Sequence, residues 1–181
     1  EVLNRLQNYQ RRQATARRQQ AVAKYRDALH NDPDSVVGGN PNGDVTIVEF
    51  FDYRCSFCKK SFKDLQAVLK KDSSIRFVYK EFPILGPQSV FASRAAIAAR
   101  AQGRYTSFHD ALMGAKGTLD KATVMQIATE VGLNTGRLKN DMMAPAITDA
   151  IERNFALARA LDINGTPGFV IGDRVIAGAL G

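Results

Sequence analysis

Hydrophobic and polar residues follow strand-like and helix-like patterns that begin after a loop near residue 34. Residues 45 to 51, VTIVEFF, are β-branched, aromatic and almost entirely apolar, which predicts a strand buried on both faces. Residues 75 to 82, IRFVYKEF, alternate and predict a second strand, and a helical pattern from about Ser56 to Lys71 separates the two. This order of elements indicates a right-handed parallel crossover.

The middle of the chain, from about residue 88 to 161, has helical periodicity. Its clearest segments are SVFASRAAIAARAQ, ATVMQIATEVG and APAITDAIERNFALARAL. Behind them, GFVIG and RVIAG predict two short strands joined by a tight turn at Gly172 and Asp173. The order of elements therefore predicts an α/β fold in which a strand–helix–strand unit and a closing hairpin flank a large helical insertion.

The first thirty residues contain no glycine and no proline, and they predict one long helix that ends before Pro33. Its few apolar residues form two interrupted stripes: Val2 or Leu3, Leu6 and Tyr9, then Val22, Tyr25 and Leu29. Such a helix cannot build the core of a monomer, so we interpret it as a solvated arm or a stalk that meets copies of itself. The loop NDPDSVVGGNPNGD then divides the chain into an arm, residues 1–32, and a globular domain, residues 33–181.

The formal charge of +7 is concentrated in this arm. Residues 1 to 30 carry seven basic and two acidic side chains, seven minus two giving +5. Charge runs are usually solvated faces, and Tyr9 is the one aromatic residue among the arginines, so we expect no nucleic-acid partner. No stretch approaches the roughly 18 apolar residues of a membrane span. No signal peptide is visible at EVLNRLQNYQ, and we expect that one was removed.

The chain has two cysteines, Cys55 and Cys58, just after the first buried strand and at the predicted start of a helix. The first N–H groups of a helix are unpaired and carry partial positive charge, so a thiolate at Cys55 is stabilised and its pKa falls. Arg54, Lys59 and Lys60 flank the pair and add positive potential. The pattern predicts that Cys55 is the exposed nucleophile and Cys58 the more buried, resolving thiol.

Other uses of two thiols fit this sequence less well. A structural zinc site normally needs four ligands, and besides the cysteines only His30 and His109 are soft nitrogen ligands. A disulfide across two residues closes a very small loop and is easily reduced. A soft metal such as Cu(I) can bind two thiolates, so copper binding at Cys55 and Cys58 stays open beside dithiol exchange.

Two further features favour redox chemistry. Thr166 and Pro167 lie in NGTPGF before a short strand, where an X–Pro bond is either cis or an ordinary trans turn. Glu49 is a carboxylate inside an apolar strand, six residues before Cys55, and a buried Glu needs a partner or a raised pKa. Lys80, in the second strand, is the candidate partner in an acid–base pair that relays a proton, unless either side chain reaches solvent at a strand end.

The motifs VEFFDYRCSFC, YKEFPILGPQS and GTPGFVIG, with the helical block between the last two, resemble the DsbA family of bacterial thiol–disulfide oxidoreductases. The resemblance covers about residues 34 to 181. It implies a thioredoxin fold with an inserted helical domain and a redox-active disulfide in place of a bound cofactor. It also implies a reactive Cys55, a cis Pro167 that follows Thr166 across the substrate groove, and an acid–base pair of Glu49 and Lys80.

Two departures from the family point toward repair of disulfides. The dipeptide between the cysteines is Ser56–Phe57 rather than the Pro–His of strongly oxidising members, which implies a less oxidising site. The N-terminal helix resembles the extension of oligomeric relatives, including copper-sensitivity suppressor proteins of the ScsC type.

We therefore predict a periplasmic or envelope disulfide isomerase or reductase, held as a homo-oligomer, a trimer or dimer, through residues 1–32. Its partners would be proteins with disulfides or thiols and a membrane thiol reductase similar to DsbD or ScsB. One alternative is a DsbA-type oxidase with a DsbB-like partner. The other is a Cu(I)-binding protein that uses the two thiolates as ligands.

Overall fold

The computed structural model describes residues 1–178, so the predicted domain range 33–181 ends three residues beyond the described part. The helices are α1 (Val2–Lys24), α2 (Arg26–His30), α3 (Ser56–Lys71), α4 (Pro87–Ala99), α5 (Tyr105–Gly114), α6 (Lys121–Glu130), α7 (Thr135–Asp141) and α8 (Pro145–Ala160), with a 3₁₀ turn at Arg100–Gln102. The strands are β1 (Val36–Gly39), β2 (Val45–Phe51), β3 (Ile75–Glu81), β4 (Gly168–Ile171) and β5 (Arg174–Ala177).

The five strands form one sheet in the order β1–β3–β2–β4–β5. Strands β2 and β3 are parallel, as the strand–helix–strand pattern predicted, and Phe51 lies opposite Glu81. The remaining pairs are antiparallel, including the hairpin β4–β5, which turns at Gly172 with a φ of 60°. The predicted α/β architecture, with helices inserted between β3 and a closing hairpin, is confirmed.

The sheet separates two hydrophobic cores, because successive side chains of a strand point to opposite faces. The front face carries the buried side chains of Ile47, Phe51, Phe77, Tyr79 and Phe169. The back face carries those of Val48, Phe50, Val78 and Val170. The front core also contains both cysteines, and it is completed by side chains of α3 to α8.

Helices α4 to α8 form the insertion that the sequence predicted for residues 88 to 161. Helix α8 contributes to both cores, with Ile147 and Ile151 in the front core and Leu157 in the back core. Among residues 1–178, none of the helices combines the length and the apolar character that crossing a bilayer requires.

The N-terminal helix differs from the prediction in two ways. It is broken at Tyr25 into α1 and α2, and its second apolar stripe packs on the back face of the sheet. Val22 and Leu29 are completely buried there, beside Val48 and Phe50. The expectation that this helix adds nothing to a monomer core is therefore wrong, because the stripe is short but matches an apolar face. Only the first two-thirds of α1 project as an arm.

Candidate active site

Cys55 is the N-cap of α3, directly after the loop that follows β2. Its Sγ accepts a hydrogen bond from the backbone N–H of Cys58 at 3.2 Å, as an N-cap side chain does. Both cysteines are free thiols in this structure. Cys58 is completely buried and Cys55 is 5% exposed, so the predicted order of accessibility holds, although Cys55 is more covered than expected.

The two thiols have opposite pKa shifts. A hydrogen bond from the Cys58 thiol, then the Thr166 side chain and the backbone N–H groups of Cys58 and Phe57, lower the pKa of Cys55 to about 6, although burial opposes the change. The pKa of Cys58 is raised, chiefly because its thiol is hydrogen-bonded to Cys55 and then because it is buried. At neutral pH Cys55 is therefore a thiolate and Cys58 a thiol, which is the division of labour that dithiol exchange requires.

The loop before β4 covers Cys55. The Thr166–Pro167 peptide bond is cis, and Sγ of Cys55 lies 3.3 Å from the carbonyl oxygen of Thr166. Pro167 in turn accepts a hydrogen bond from Gly178 through its own carbonyl oxygen, which ties the loop to the end of the hairpin. The sequence placed Thr166 and Pro167 opposite the cysteines, and the structure brings them there. The contact also explains why so little of Cys55 is exposed.

Glu49 is buried on the front face of the sheet, where it pairs in register with Tyr79. Burial raises its pKa to about 8, and the negative charge of Cys55 adds to the rise. The same carboxyl raises the pKa of Cys58. Glu49 is therefore a neutral acid at pH 7 that lies within electrostatic reach of both thiols.

The structure does not form the predicted acid–base pair of Glu49 and Lys80. Lys80 lies opposite Phe50, not Glu49, so its side chain points to the back face. There its ammonium group donates to the carbonyl oxygen of Ala28 at 2.8 Å, to Asp32 at 3.0 Å and to Ser35 at 2.7 Å. Lys80 therefore fixes the segment after α2 and lies on the face of the sheet opposite Glu49.

Two of the three basic residues around the cysteines are turned away from them. Arg54 donates to the carbonyl oxygen of Leu85 at 2.9 Å. Lys59 donates to the carbonyl oxygens of Leu112 and Ala115, at 3.0 and 2.7 Å, and so caps the C-terminal end of α5. The N-terminus of α3, rather than a basic side chain, supplies the positive potential at Cys55.

Asp52 is a residue of the site that the sequence reasoning missed. It is completely buried and accepts hydrogen bonds from the N–H groups of Arg54 and Leu85 and from the hydroxyl of Ser89, at 2.8, 2.9 and 2.8 Å. Its carbonyl oxygen accepts from the N–H of Cys55. Asp52 thus fastens the cysteine loop to the start of α4. An acidic residue directly after an apolar strand was the available signal.

The reasoning also missed a second buried carboxyl, Glu81, at the end of β3. Its Oε1 accepts hydrogen bonds from the phenol groups of Tyr53 and Tyr105, at 3.0 and 2.8 Å. Nδ1 of His109 lies 3.0 Å from the Tyr53 hydroxyl oxygen. Tyr53 is two residues from Cys55, so this network reaches the same loop that Asp52 fastens.

Within residues 1–178, no group of three or more His, Cys, Asp and Glu side chains is placed to hold a metal ion. The two thiol groups themselves remain a possible pair of ligands for a soft, two-coordinate ion such as Cu(I).

Comparison with known proteins places this geometry among thiol-exchange proteins. A family model described as a DSBA-like thioredoxin domain matches residues 46–181. A thioredoxin-like oxidoreductase from Silicibacter pomeroyi is 50% identical, covers 86% of this chain and 90% of its own, and has a TM-score of 0.84. A linker-deletion mutant of Proteus mirabilis ScsC is 27% identical with a TM-score of 0.90, covering 99% of this chain and 84% of its own.

A further match has a different overall architecture. The Na⁺/H⁺ antiporter NhaA of Herminiimonas arsenicoxydans is 30% identical over 146 residues, which cover 79% of this chain. The chain spans 23% of the length of that protein, so the similarity concerns one part of the antiporter.

Proposed function

This chain belongs to the DSBA-like thioredoxin family, whose members exchange disulfides through paired cysteines, and we propose that within the family it is a disulfide isomerase or reductase. The observation that carries the proposal is the unequal pair of thiols at the start of α3. Cys55 is ionised beside Thr166 and the cis Pro167, and Cys58 is buried and protonated. The redox-active group is this pair, and no bound cofactor is needed for the reaction.

The reaction begins when the Cys55 thiolate attacks one sulfur of a substrate disulfide. The substrate S–S bond breaks, its second sulfur leaves as a thiolate, and a mixed disulfide forms between Cys55 and the substrate. If Cys58 attacks Sγ of Cys55, the substrate is released fully reduced and the pair is oxidised. If a substrate thiolate attacks instead, the substrate disulfide is rearranged and Cys55 is regenerated.

Glu49 is the proposed proton acceptor for Cys58. The buried Cys58 thiol must lose its proton before it attacks, and its raised pKa makes that step slow without a base. Glu49 is the buried carboxyl on the same face. With a pKa of about 8, about a tenth of it is ionised at pH 7, and this carboxylate form accepts the Cys58 proton as Cys58 attacks. Lys80 has no part in this step because it lies on the back face.

Two features support repair rather than oxidation. The intervening residues Ser56 and Phe57 lack the histidine that favours strong oxidation in the family. The projecting part of α1 also provides a surface for self-association, since Val2, Leu3, Leu6 and Tyr9 are all more than half exposed. An α-helix turns about 100° per residue, so Val2 and Val22, twenty residues apart, point in directions that differ by about 200°. Val22 faces the body, and Val2 therefore points away from it. The apolar stripe therefore faces away from the body, toward a second or third copy.

This proposal implies an envelope location and a membrane reductant. Substrate disulfides persist in the periplasm, so an isomerase must be kept reduced there by a thiol reductase of the DsbD or ScsB kind. A DsbB-like oxidase would be the partner if the protein introduced disulfides instead.

Refolding of scrambled RNase tests the proposal. The full chain with reduced cysteines should restore RNase activity, and Cys55→Ser should abolish the restoration because no other thiolate can attack. Cys58→Ser should retain rearrangement but accumulate mixed disulfides. If Cys55→Ser remains active, the nucleophile is misassigned.

The same protein in its oxidised form separates repair from oxidation. If oxidised protein introduces disulfides into reduced RNase rapidly while reduced protein does not repair scrambled RNase, the protein is an oxidase. Tight Cu(I) binding without either activity would favour the copper-binding alternative.

A further inference from the structure

Glu81 is a buried carboxyl without a cationic partner in the described part of the chain, an arrangement that costs free energy. The residue is 3% exposed, no cation contacts its carboxyl among residues 1–178, and burial raises its pKa to about 8. The neighbouring groups are the phenols of Tyr53 and Tyr105 and the hydroxyl of Ser93, and the Asp52 carboxylate adds to the rise in pKa. Glu81 is therefore a neutral acid at pH 7, and its hydrogen bonds must offset the free-energy cost of its desolvation.

The hydrogen bonds around Glu81 have a definite direction. Burial raises the pKa of both Tyr53 and Tyr105 well above the usual value, so each phenol keeps its proton and donates it to Oε1. Oε1 is then the carbonyl oxygen of the acid, and the carboxyl proton lies on Oε2, which has no hydrogen-bond partner among residues 1–178.

His109 completes this network as a donor. Burial lowers its pKa to about 3, so the imidazole is neutral at physiological pH. The one proton of the Tyr53 hydroxyl is already directed at Glu81, so Nδ1 of His109 must carry the hydrogen of the contact with Tyr53. The Tyr53 hydroxyl is thereby held from two sides, by β3 and by α5.

Tyr53 is the residue through which this network reaches the cysteines. Its side chain is completely buried, in edge-to-face contact with Phe51 and His109. Its backbone lies between Asp52, which accepts from the N–H of Cys55, and Arg54. A displacement of Tyr53 must therefore move the turn that sets Cys55 at the N-terminus of α3.

We propose that Glu81 is a positioning residue for thiol exchange: it holds Tyr53, and through Tyr53 it holds the loop that presents Cys55 to the backbone N–H groups of α3. The role in exchange rests on the function proposed above, whereas the effect on the Cys55 thiolate does not. Tyr105 binds the same oxygen but belongs to α5, so it stabilises the network without fixing the loop.

The test compares Tyr53→Phe with Tyr105→Phe. Each variant removes one buried phenol hydroxyl from the same carboxyl oxygen, and only Tyr53 belongs to the cysteine loop. The readouts are the ultraviolet absorbance of the Cys55 thiolate as a function of pH and the rate of Cys55 alkylation by iodoacetamide. Cys58 stays silent because it is buried and its pKa is raised.

Tyr53→Phe should raise the pKa of Cys55 by about one unit, which lowers alkylation at pH 5 about tenfold. Tyr105→Phe should leave the pKa unchanged, with a comparable loss of thermal stability. Glu81→Leu should act like Tyr53→Phe, whereas Glu81→Gln, which keeps an oxygen for both phenols, should restore the wild-type titration. Equal effects of the two tyrosine variants, or a Gln variant that behaves like the Leu variant, would overturn the proposal.

The proposal stays testable if Glu81→Leu does not fold, because the two tyrosine variants carry the comparison. These measurements involve no protein substrate. A wild-type chain inactive toward scrambled RNase, with the expected tyrosine contrast intact, would refute the proposed function and leave the positioning role standing.

Discussion

The two faces of the sheet bury ionisable groups in opposite ways, although Lys80 and Glu81 are neighbours on one strand. On the back face, Lys80 is surrounded by three oxygen acceptors, one of them the Asp32 carboxylate. On the front face, Glu49 and Glu81 have no cation within reach among the described residues, and burial raises the pKa of each to about 8. The charged lysine on the back face therefore has a structural role, whereas the carboxyls on the front face are neutral acids near the thiols.

This difference follows from what each face must do. A buried ion pair is stable only when its hydrogen bonds are complete, and a completed pair does not exchange protons near neutral pH. A buried carboxyl without a cation is costly, but its pKa near neutrality makes it available for proton transfer. The carboxyls with raised pKa values lie on the front face, and the fully hydrogen-bonded lysine lies on the back face. This distribution is expected if proton transfer takes place only on the front face.

The largest effect at pH 6 is expected from Lys80→Met, which removes the back-face cation and leaves Asp32 without its partner. Breaking a buried pair typically costs 3–5 kcal/mol, and because the Asp32 side chain is 14% exposed we expect a loss of about 3 kcal/mol in the free energy of unfolding. Urea unfolding measures it. Reduced protein should retain the Cys55 thiolate titration, since Lys80 does not face the thiols.

Lys63→Met is the matched control for this prediction, because Lys63 is exposed on α3. Its change in unfolding free energy should stay within about 0.5 kcal/mol. A Lys80→Met variant that shifts the pKa of Cys55 would show that the two faces of the sheet are coupled.

The sequence was sufficient for β2 to β5, the helical insertion, the cysteines and the Thr166–Pro167 loop, because each depends on local pattern. It missed β1 (Val36–Gly39), which lies in the segment that we predicted to be a loop. It was insufficient for Lys80. A shift of one residue in strand register moves a side chain to the other face, and nothing local fixes whether position 79 or 80 lies beside Glu49. The assignment of Lys80 as partner of Glu49 failed for this reason.

The network around Glu81 lay beyond sequence reasoning for a different reason. Its members come from the cysteine loop, from β3 and from α5, and Tyr53 is 28 residues from Glu81 and 56 from His109. A single chain offers no signal for such long-range contacts. The carboxyl in an otherwise apolar strand was visible, and the same burial argument that singled out Glu49 applies to it.

The next largest effect concerns the pH dependence of stability on the front face. Glu49 has a pKa of about 8 in the folded chain and 4.5 as its ordinary value. Between these values the unfolded chain ionises and the folded chain does not, so stability should fall by about 1.4 kcal/mol per pH unit as pH rises. Below pH 4.5 and above pH 8 this contribution is flat.

Glu49→Gln should remove that slope between pH 5 and 8, measured by urea unfolding of the reduced protein at each pH. Glu81→Gln should remove a similar slope of its own, since its pKa is raised to the same value. The matched control is Glu130→Gln on α6, whose side chain is exposed and should leave the profile unchanged. If Glu49→Gln keeps the wild-type profile, the pKa of Glu49 is not raised in the folded chain, and its carboxylate is too weak a base to be the proposed proton acceptor.

The smallest effect on the stability of the body is expected from removal of residues 1–16. That segment carries the exposed apolar stripe. The hydrogen bonds between α1 and the body begin at Arg18, which donates to Asp162 at 2.6 Å, and the fully buried contact is made by Val22. The shortened protein should therefore unfold within about 0.5 kcal/mol of the full chain, compared at concentrations where both are monomeric. Light scattering at higher concentration should show that only the full chain associates. Removal of residues 1–33 is the contrast, because it takes Val22, Leu29 and two of the three partners of Lys80 from the back face and should cost several kcal/mol. A full chain that is already monomeric at high concentration would refute the stalk, and a large loss of stability from the shorter deletion would show that the arm is part of the body along its whole length.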